Sequence, residues 1–427
     1  MRAWIWAYQA LGAAGLAAAS PVVALRALGD PRYRTGWGER LGGWADVPPG
    51  GVWVHGASVG ELRAAAPLVL GLLGRDVPVV VSATSPAGRD TASELVGQAG
   101  AARLLPLDLL PLVSRAFARA RPRALVLVET ELWPGLLWEA RRRQVPVLLV
   151  NARISDRALP RYRRLRPFVR SMLSWVSAVQ AQSEAHARRL LDLGAPPDRV
   201  EVGGNLKFDL PEPDPADPVA RALRRSRAGG WRVVVAGSTH PGEEEALVRA
   251  VAGLARVGLV VAPRHLERLD EAEEEIRRAG REVVRWSALG EPLEAGILGA
   301  FGAGRVIVVD AMGLLPRLYG GARCAFVGGT LAPVGGHNPL EALVWGVPVI
   351  VGPHTANIRE FVAEILERSV GTRVDGPEGL GPALEGYLED PEARDLAARA
   401  ARALFAEHRG ATQRALRALD RIAGLRG

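Results

Sequence analysis

Short runs of branched and aliphatic residues recur along this 427-residue chain, and their order constrains the fold more than any other feature. Seven lie in the first half (51–57, 77–83, 102–107, 124–129, 145–150, 178–182 and 200–203) and six follow (231–237, 257–262, 281–286, 305–309, 324–328 and 347–351). Most are succeeded by a glycine or proline turn and then a stretch of helical length. Runs such as Val233-Val234-Val235-Ala236 and Val347-Pro348-Val349-Ile350-Val351 show no polar alternation. Strands covered by helices on both faces read this way. Between the two series, Asp209 to Pro218 holds four prolines in ten residues, the composition of a linker. The pattern predicts an α/β chain of two doubly wound parallel-sheet domains. The expected boundaries are 1–30 for an N-terminal helix, 31–208 for the first domain, 209–219 for the linker and 220–427 for the second domain with a C-terminal helix. Ligands of such sheets lie at the carboxyl ends of the strands, so the loops after the strands are the candidate sites.

Composition removes several classes. The single cysteine, Cys324, excludes disulfide scaffolds, cysteine-based zinc sites and CxxC redox chemistry. No G-x-x-x-x-G-K-[ST] and no H-E-x-x-H is present, which removes P-loop NTPases and that class of zinc protease. Of the 54 basic residues only Lys207 is a lysine.

Residues 3–25 carry no charge and are long enough to span a bilayer as a helix, although Gln9, Ser20, Pro21 and many alanines dilute the run. Arg2 precedes it, and Arg26, Arg32, Arg34 and Arg40 follow, a pattern that puts the body of the chain in the cytoplasm. A membrane anchor or interfacial helix is expected, the other reading being a helix packed on the first domain. A basic stretch at 153–170 has seven arginines and one aspartate, interleaved with Tyr162, Leu165, Pro167 and Phe168. It suits anionic lipid head groups or a solvated helix face. No nucleic-acid-binding motif accompanies it, so no nucleic-acid partner is expected.

Several loops carry candidate chemistry. After the first run, His55-Gly56-Ala57-Ser58-Val59-Gly60-Glu61 puts Glu61 in the first turn of a helix, where a carboxylate can take a proton from a hydroxyl. Ser58-x-x-Glu61 is equally a capping box, and the helix N-terminus is expected to make the base weaker. Glu129-Thr130-Glu131 closes a buried strand. Alternation would put both acids on one side, and helix capping by Thr130 and the acids is the competing reading. Lys207 lies just before the linker, able to meet an anion or to pair with Asp209. In the second half, Pro263-Arg264 and Asp310-Ala311-Met312-Gly313-Leu314 follow strand candidates. The segment Gly328 to Glu341 holds four glycines, then Asn338 as an expected N-cap, Pro339 at the first helical position, Leu340 and Glu341. A glycine loop feeding a helix N-terminus suits a phosphate, and Glu341 can bind a ribose.

Taken in order, Trp37-Gly38-Glu39-Arg40, His55 to Glu61, Glu129-Thr130-Glu131-Leu132-Trp133-Pro134, Asn151-Ala152-Arg153, Gly204-Asn205-Leu206-Lys207-Phe208-Asp209, Pro263-Arg264-His265 and Gly335 to Glu341 resemble the 3-deoxy-D-manno-octulosonic acid (Kdo) transferases of lipopolysaccharide synthesis. The resemblance covers nearly the whole chain. It implies the GT-B architecture, two Rossmann-like domains facing a cleft, the first for the acceptor and the second for the donor. It implies an inverting, metal-independent transfer from CMP-Kdo to the 6′-hydroxyl of a lipid A precursor, lipid IVA, at the cytoplasmic face of the inner membrane. It implies no cofactor. Glu61 matches the proton acceptor. Glu129 and Lys207 match positions credited with stabilising the transition state. Pro263, Arg264, Met312, Gly313, Leu314, Asn338, Pro339, Leu340 and Glu341 match the CMP-binding positions. The chain departs at Leu314, where the family commonly has an acidic residue. It has no D-x-D, the motif many metal-dependent sugar-nucleotide transferases use, so Arg264 is the expected neutraliser of phosphate charge. A glycosyltransferase using a UDP-sugar, and a non-catalytic membrane-anchored binding protein, remain the alternatives at this point.

Overall fold

The structure, a computed structural model, describes residues 3–29 and 35–425. Arg2, Arg32, Arg34 and the expected boundary between residues 30 and 31 lie outside them. The chain divides into two compact units. One runs to Asp209 and resumes at His408; the other is Leu210–Glu407.

Among the described residues, unit 1 holds a seven-stranded sheet: β1 (Val52–His55), β2 (Val79–Ala83), β3 (Gly100–Leu104), β4 (Ala124–Val128), β5 (Val147–Ala152), β6 (Ala178–Ala181) and β7 (Val200–Val202). All pairings are parallel, in the order β3-β2-β1-β4-β5-β6-β7. The absent alternation has the expected cause. Leu125 and Leu127 belong to one core layer with Trp53 and Phe117, while Val126 and Val128 belong to another with Val52 and Val54. Successive side chains point to opposite faces, and both faces are buried. Unit 2 has β8 (Arg232–Thr239), β9 (Val257–Pro263), β10 (Val283–Arg285), β11 (Val306–Val308), β12 (Cys324–Val327), β13 (Val349–Val351) and β14 (Gly371–Arg373). Its order is β10-β11-β9-β8-β12-β13-β14, again parallel. The last strand, β14, was not expected; three residues, Gly-Thr-Arg, carry no hydrophobic run to signal it.

One boundary is corrected. The helix Ala411–Ala423 belongs to unit 1, not to the second domain. Ala411, Ala415, Leu416, Ala418 and Leu419 complete the core layer built on Val52, Val54 and Val126. Asp209 holds the chain's return by accepting from the backbone N–H groups of Gly410, at 2.7 Å, and Thr412. Gly71 lets the helix come close, since a Cβ there would lie 3.0 Å from Leu416.

Residues Ala3–Gly29 form one helix. Its first turns pack on unit 1. Trp4 stacks on Trp175 at 5.6 Å and meets Phe168 edge-on at 5.2 Å, and Tyr8 donates to Asp108 at 3.0 Å. Beyond Gln9 the described side chains are exposed, apart from a half-buried Leu16. Among the described residues no helix is long and apolar enough to cross a membrane.

Candidate functional site

In unit 1 the chain leaves β1 at His55 and enters the helix Val59–Leu73. Ser58 is its N-cap, in extended backbone, and accepts from Glu61 N–H at 3.3 Å. The Glu61 carboxylate in turn accepts from Ala57 N–H at 2.7 Å and from the Ser58 hydroxyl at 2.8 Å. The capping box therefore forms, and it orients Glu61. The expected weakening of the base is corrected. Burial raises the Glu61 carboxyl above its ordinary value, and the charges of Glu129 and Glu131 add to this, outweighing the hydrogen bonds from Ser58 and Ala57.

Glu129 follows β4 and is the point where the strand breaks: its φ is 61°, in the left-handed region. Such a backbone costs a non-glycine residue about 1–3 kcal/mol and is usually held by its surroundings. The Glu129 backbone N–H donates to the Val150 carbonyl at 2.9 Å, and its carboxylate is held by cations. Arg153 Nε donates to Glu129 at 2.6 Å, and Lys207 Nζ lies 3.6 Å from its other oxygen. Glu129 and Glu131 take different partners, although the charges of both act on Glu61. Glu131 turns to the indole N–H of Trp133 at 2.8 Å and lies 3.8 Å from His55 Nε2. Neither acid caps the following helix, whose N-cap is Trp133 without a side-chain bond, and Thr130 donates instead to the carbonyl of Arg153. Lys207 stands in the short turn Leu206–Phe208. That turn is tied to the end of β5, where Asn151, itself at φ 55°, accepts from Leu206 N–H at 3.2 Å. Glu61, Glu129 and Lys207 thus gather at the carboxyl edge of one sheet. Arg153, named only within a motif, belongs with them. No signal separates it from the other arginines until β5 is laid beside β4.

In unit 2 every candidate nucleotide residue lies at the carboxyl edge of the sheet, Pro263 as the last residue of β9 and the others after β9, β11 or β12. Arg264 follows β9, and its backbone N–H donates to Thr239 at the end of β8 at 3.1 Å. Its half-buried side chain makes no hydrogen bond or ion pair among the described residues. Met312 is 72% exposed, and Gly313 turns at φ 80° into Leu314 and the one-turn helix Leu315–Leu318. Leu315 and Tyr319 pack over Gly237, where a Cβ would lie 1.9 Å from the Tyr319 hydroxyl. Asn338 donates to Glu341 at 3.4 Å and accepts from Leu340 N–H at 3.0 Å. Burial raises the Glu341 carboxyl, while Asn338 and the charge of Arg264 work against the rise.

Two expectations about the glycine-rich segment are corrected. The helix after it is only Leu340–Leu343, with Pro339 rather than Asn338 as N-cap, so it offers no sizeable dipole to a phosphate. The loop itself already holds an anion. The N–H groups of Gly329, Thr330, Leu331 and Ala332 donate to the carboxylate of Glu243 at 2.8–3.1 Å, and Glu243 is 1% exposed. Gly335 and Gly336 fold back by donating to the Gly329 carbonyl, and His337 to that of Gly328. An internal carboxylate fills the cradle expected for phosphate. Among the described residues no cluster of three or more His, Cys, Asp or Glu is arranged to hold a metal ion.

Comparison with known proteins bears on the whole chain. A family model described as 3-deoxy-D-manno-octulosonic-acid transferase (kdotransferase) matches residues 35–210. The 3-deoxy-D-manno-octulosonic acid transferase of Haemophilus influenzae is 33% identical over 405 residues, covering 92% of this chain and 93% of that protein. The enzyme of the same name from Bordetella pertussis is 37% identical over 386 residues, 86% of each. Among solved structures, the UDP-GlcNAc 2-epimerase of Neisseria meningitidis aligns with 87% of this chain and 99% of its own at a TM-score of 0.52 and 14% identity, a likeness of fold alone.

Proposed function

Since the chain belongs to the Kdo transferase family, glycosyltransferases that move Kdo in lipopolysaccharide synthesis, we propose that it carries Kdo from CMP-Kdo to the 6′-hydroxyl of a lipid A precursor, lipid IVA, with inversion and without a metal. The observation that carries this reading is Glu61. It is a half-buried carboxylate of raised pKa, oriented by its own capping box, near the acids Glu129 and Glu131. In the proposed step the acceptor hydroxyl attacks the anomeric carbon and gives its proton to Glu61. The bond to the phosphate oxygen breaks, and its electron pair leaves with CMP. Lys207 and Arg153, held by Glu129, supply fixed positive charge near the hydroxyl being activated. In unit 2, Arg264 supports a protein cation as the partner of the donor phosphate, with Asn338 and Glu341 beside it and Pro263, Gly313, Pro339 and Leu340 shaping the backbone. At Leu314 only backbone contact to the nucleotide is available.

The acceptor is amphipathic, and we read the N-terminal helix with its neighbouring patch as the membrane-facing surface on the cytoplasmic side of the inner membrane. Trp6 is 60%, Leu165 49% and Phe168 41% exposed, and Trp4, Arg166, Pro167, Phe168, Arg170 and Ser171 line a groove beside them. Arginines interleaved with apolar side chains suit anionic head groups. Mass spectrometry of a tetra-acylated lipid A precursor tests the donor, the acceptor and the transfer. The protein is incubated with a source of CMP-Kdo generated in place. Added Kdo mass confirms donor, acceptor and reaction together; an unchanged acceptor, with a control enzyme active, refutes it.

A further inference from the structure

His240 and His337 come from different loops, after β8 and after β12, yet their Nε2 atoms lie 2.8 Å apart and their rings are parallel within 1°. The ring centroids are 5.1 Å apart, the spacing of rings joined edge to edge through their Nε2 atoms rather than stacked face on face. Two nitrogens at that distance share one proton, so one ring donates and the other accepts.

The pair is built, not incidental. The Glu243 carboxylate that holds the 329–332 backbone also accepts from His240 N–H at 2.9 Å, so one buried anion fixes both loops. Gly329, at φ 69°, makes room for the rings: a Cβ there would lie 3.1 Å from His337 and 3.3 Å from His240. These two histidines flank the junction of β8 with β12, where consecutive strands part to opposite sides of β8. Open α/β sheets bind their ligands at such a switch point.

The surroundings select for an anion. Arg264, without a partner among the described residues, acts electrostatically on both rings, as does His265, whose ring centroid is 6.0 Å from that of His240. Arg268 adds positive charge at His240, and Glu243 opposes it with a carboxylate already spent on backbone N–H groups. The same Arg264 acts on Glu341, whose carboxyl is raised. Burial is the largest cause lowering both imidazoles; Arg264 also lowers each, Arg268 lowers His240, and His240 lowers His337, which falls to about 4, so at neutral pH the pair is uncharged. Two neutral rings joined through Nε2 have one Nδ1–H donor and one Nδ1 lone pair left over.

We propose that His240 and His337 act as one unit that contacts the phosphate of the bound nucleotide beside Arg264, taking up a proton when the phosphate becomes a monoester. This rests on the reading of unit 2 as the donor site and names two residues beyond it. The leftover N–H meets a phosphate oxygen, and the leftover lone pair accepts a proton from solvent, giving an imidazolium that still donates to its partner. The donor is a phosphodiester with one negative charge, and the departing CMP gains a second. The pair therefore matches the charge that develops as the bond breaks, where preorganised donors act most strongly.

The test is calorimetry on the full chain with CMP and with cytidine, at pH 6, in buffers of different ionisation enthalpy. The wild type is expected to bind CMP with net proton uptake. In His337→Asn and His240→Asn, CMP affinity falls about ten-fold or more, the size of one lost hydrogen bond to a charged group, while cytidine affinity stays and the uptake disappears. Variants that bind CMP as the wild type does, with the same uptake, overturn the proposal. Imidazole nitrogen spectra of the wild type titrated with CMP give a check that needs no variant: unchanged His240 and His337 resonances overturn it equally. A wild type that takes up UMP with a proton, and not CMP, keeps the pair's role and removes CMP-Kdo as the donor. A wild type that binds neither nucleotide removes both.

Discussion

Lys207 Nζ lies 3.6 Å from Glu129 Oε1, across from the 2.6 Å bond that Arg153 makes to Oε2, so the chain's one lysine and one of its arginines grip the same carboxylate. The Glu129 side chain is about nine-tenths buried, and the two cations hold its carboxylate at a point where the backbone turns left-handed. Removing Lys207 leaves Arg153 in place. Lys207→Ala is therefore expected to cost at most about 1 kcal/mol of stability, yet to slow Kdo transfer by about a hundred-fold or more, as loss of a preorganised charge does. Urea unfolding and initial rates measured on the same preparation separate the two effects, and a wild-type rate would remove Lys207 from the reaction.

If Glu61 is the base of the proposed step, it sets the pH dependence. Its carboxyl is raised by burial, then by the charges of Glu129 and Glu131. As a base it works only ionised, so kcat/KM is expected to fall as pH drops through that raised value, at a higher pH than an ordinary glutamate would give. The stability sign is opposite. The folded state holds the proton more tightly than the unfolded state, so Glu61 contributes favourably at low pH, and that contribution is lost as pH rises through the window above the ordinary glutamate value. Glu61→Gln should abolish transfer, keep CMP binding, and flatten the stability profile in that window. Transfer in the variant at the wild-type rate would end the case for Glu61.

Glu243 is a structural anion. Its removal leaves His240 N–H and the N–H groups of residues 329–332 without their acceptor. Each buried orphan costs about 1–3 kcal/mol unless water enters. Glu243→Ala is expected to destabilise unit 2 by several such increments and to weaken CMP binding with it. Hydrogen exchange of the 328–337 backbone, which should lose its protection, checks the mechanism directly.

The C-terminal helix is part of the core of unit 1. Leu416 is 1% exposed and lies in the layer with Val52, Val54 and Val126. Leu416→Ala is expected to cost about 2–5 kcal/mol. Ending the chain at residue 409 should leave unit 1 with an open apolar face and an aggregating product. Chemical denaturation of the first variant and light scattering of the second are the measurements.

Much of this was legible along the chain. Branched runs without polar alternation mark strands covered on both faces, because a parallel sheet buries every side chain whichever way it points. Ser58-x-x-Glu61 forms the capping box its spacing announces, because that contact is local. Glu129 stood out as an acid closing a buried strand, and it does sit at the carboxyl edge of the sheet. What distance along the chain conceals, only the folded molecule decided. Arg153 reaches Glu129 because β5 lies beside β4, and nothing distinguishes it among 53 arginines otherwise. The glycine loop looked ready for a phosphate, but its N–H groups belong to Glu243, more than eighty residues earlier. Asp209 captures the backbone of Gly410 and Thr412 some two hundred residues on, and so moves the last helix from one unit to the other. Local propensity and periodicity act over a few residues and can be read in order. The pairing of a charge, or the covering of an apolar face, depends on what the fold brings alongside.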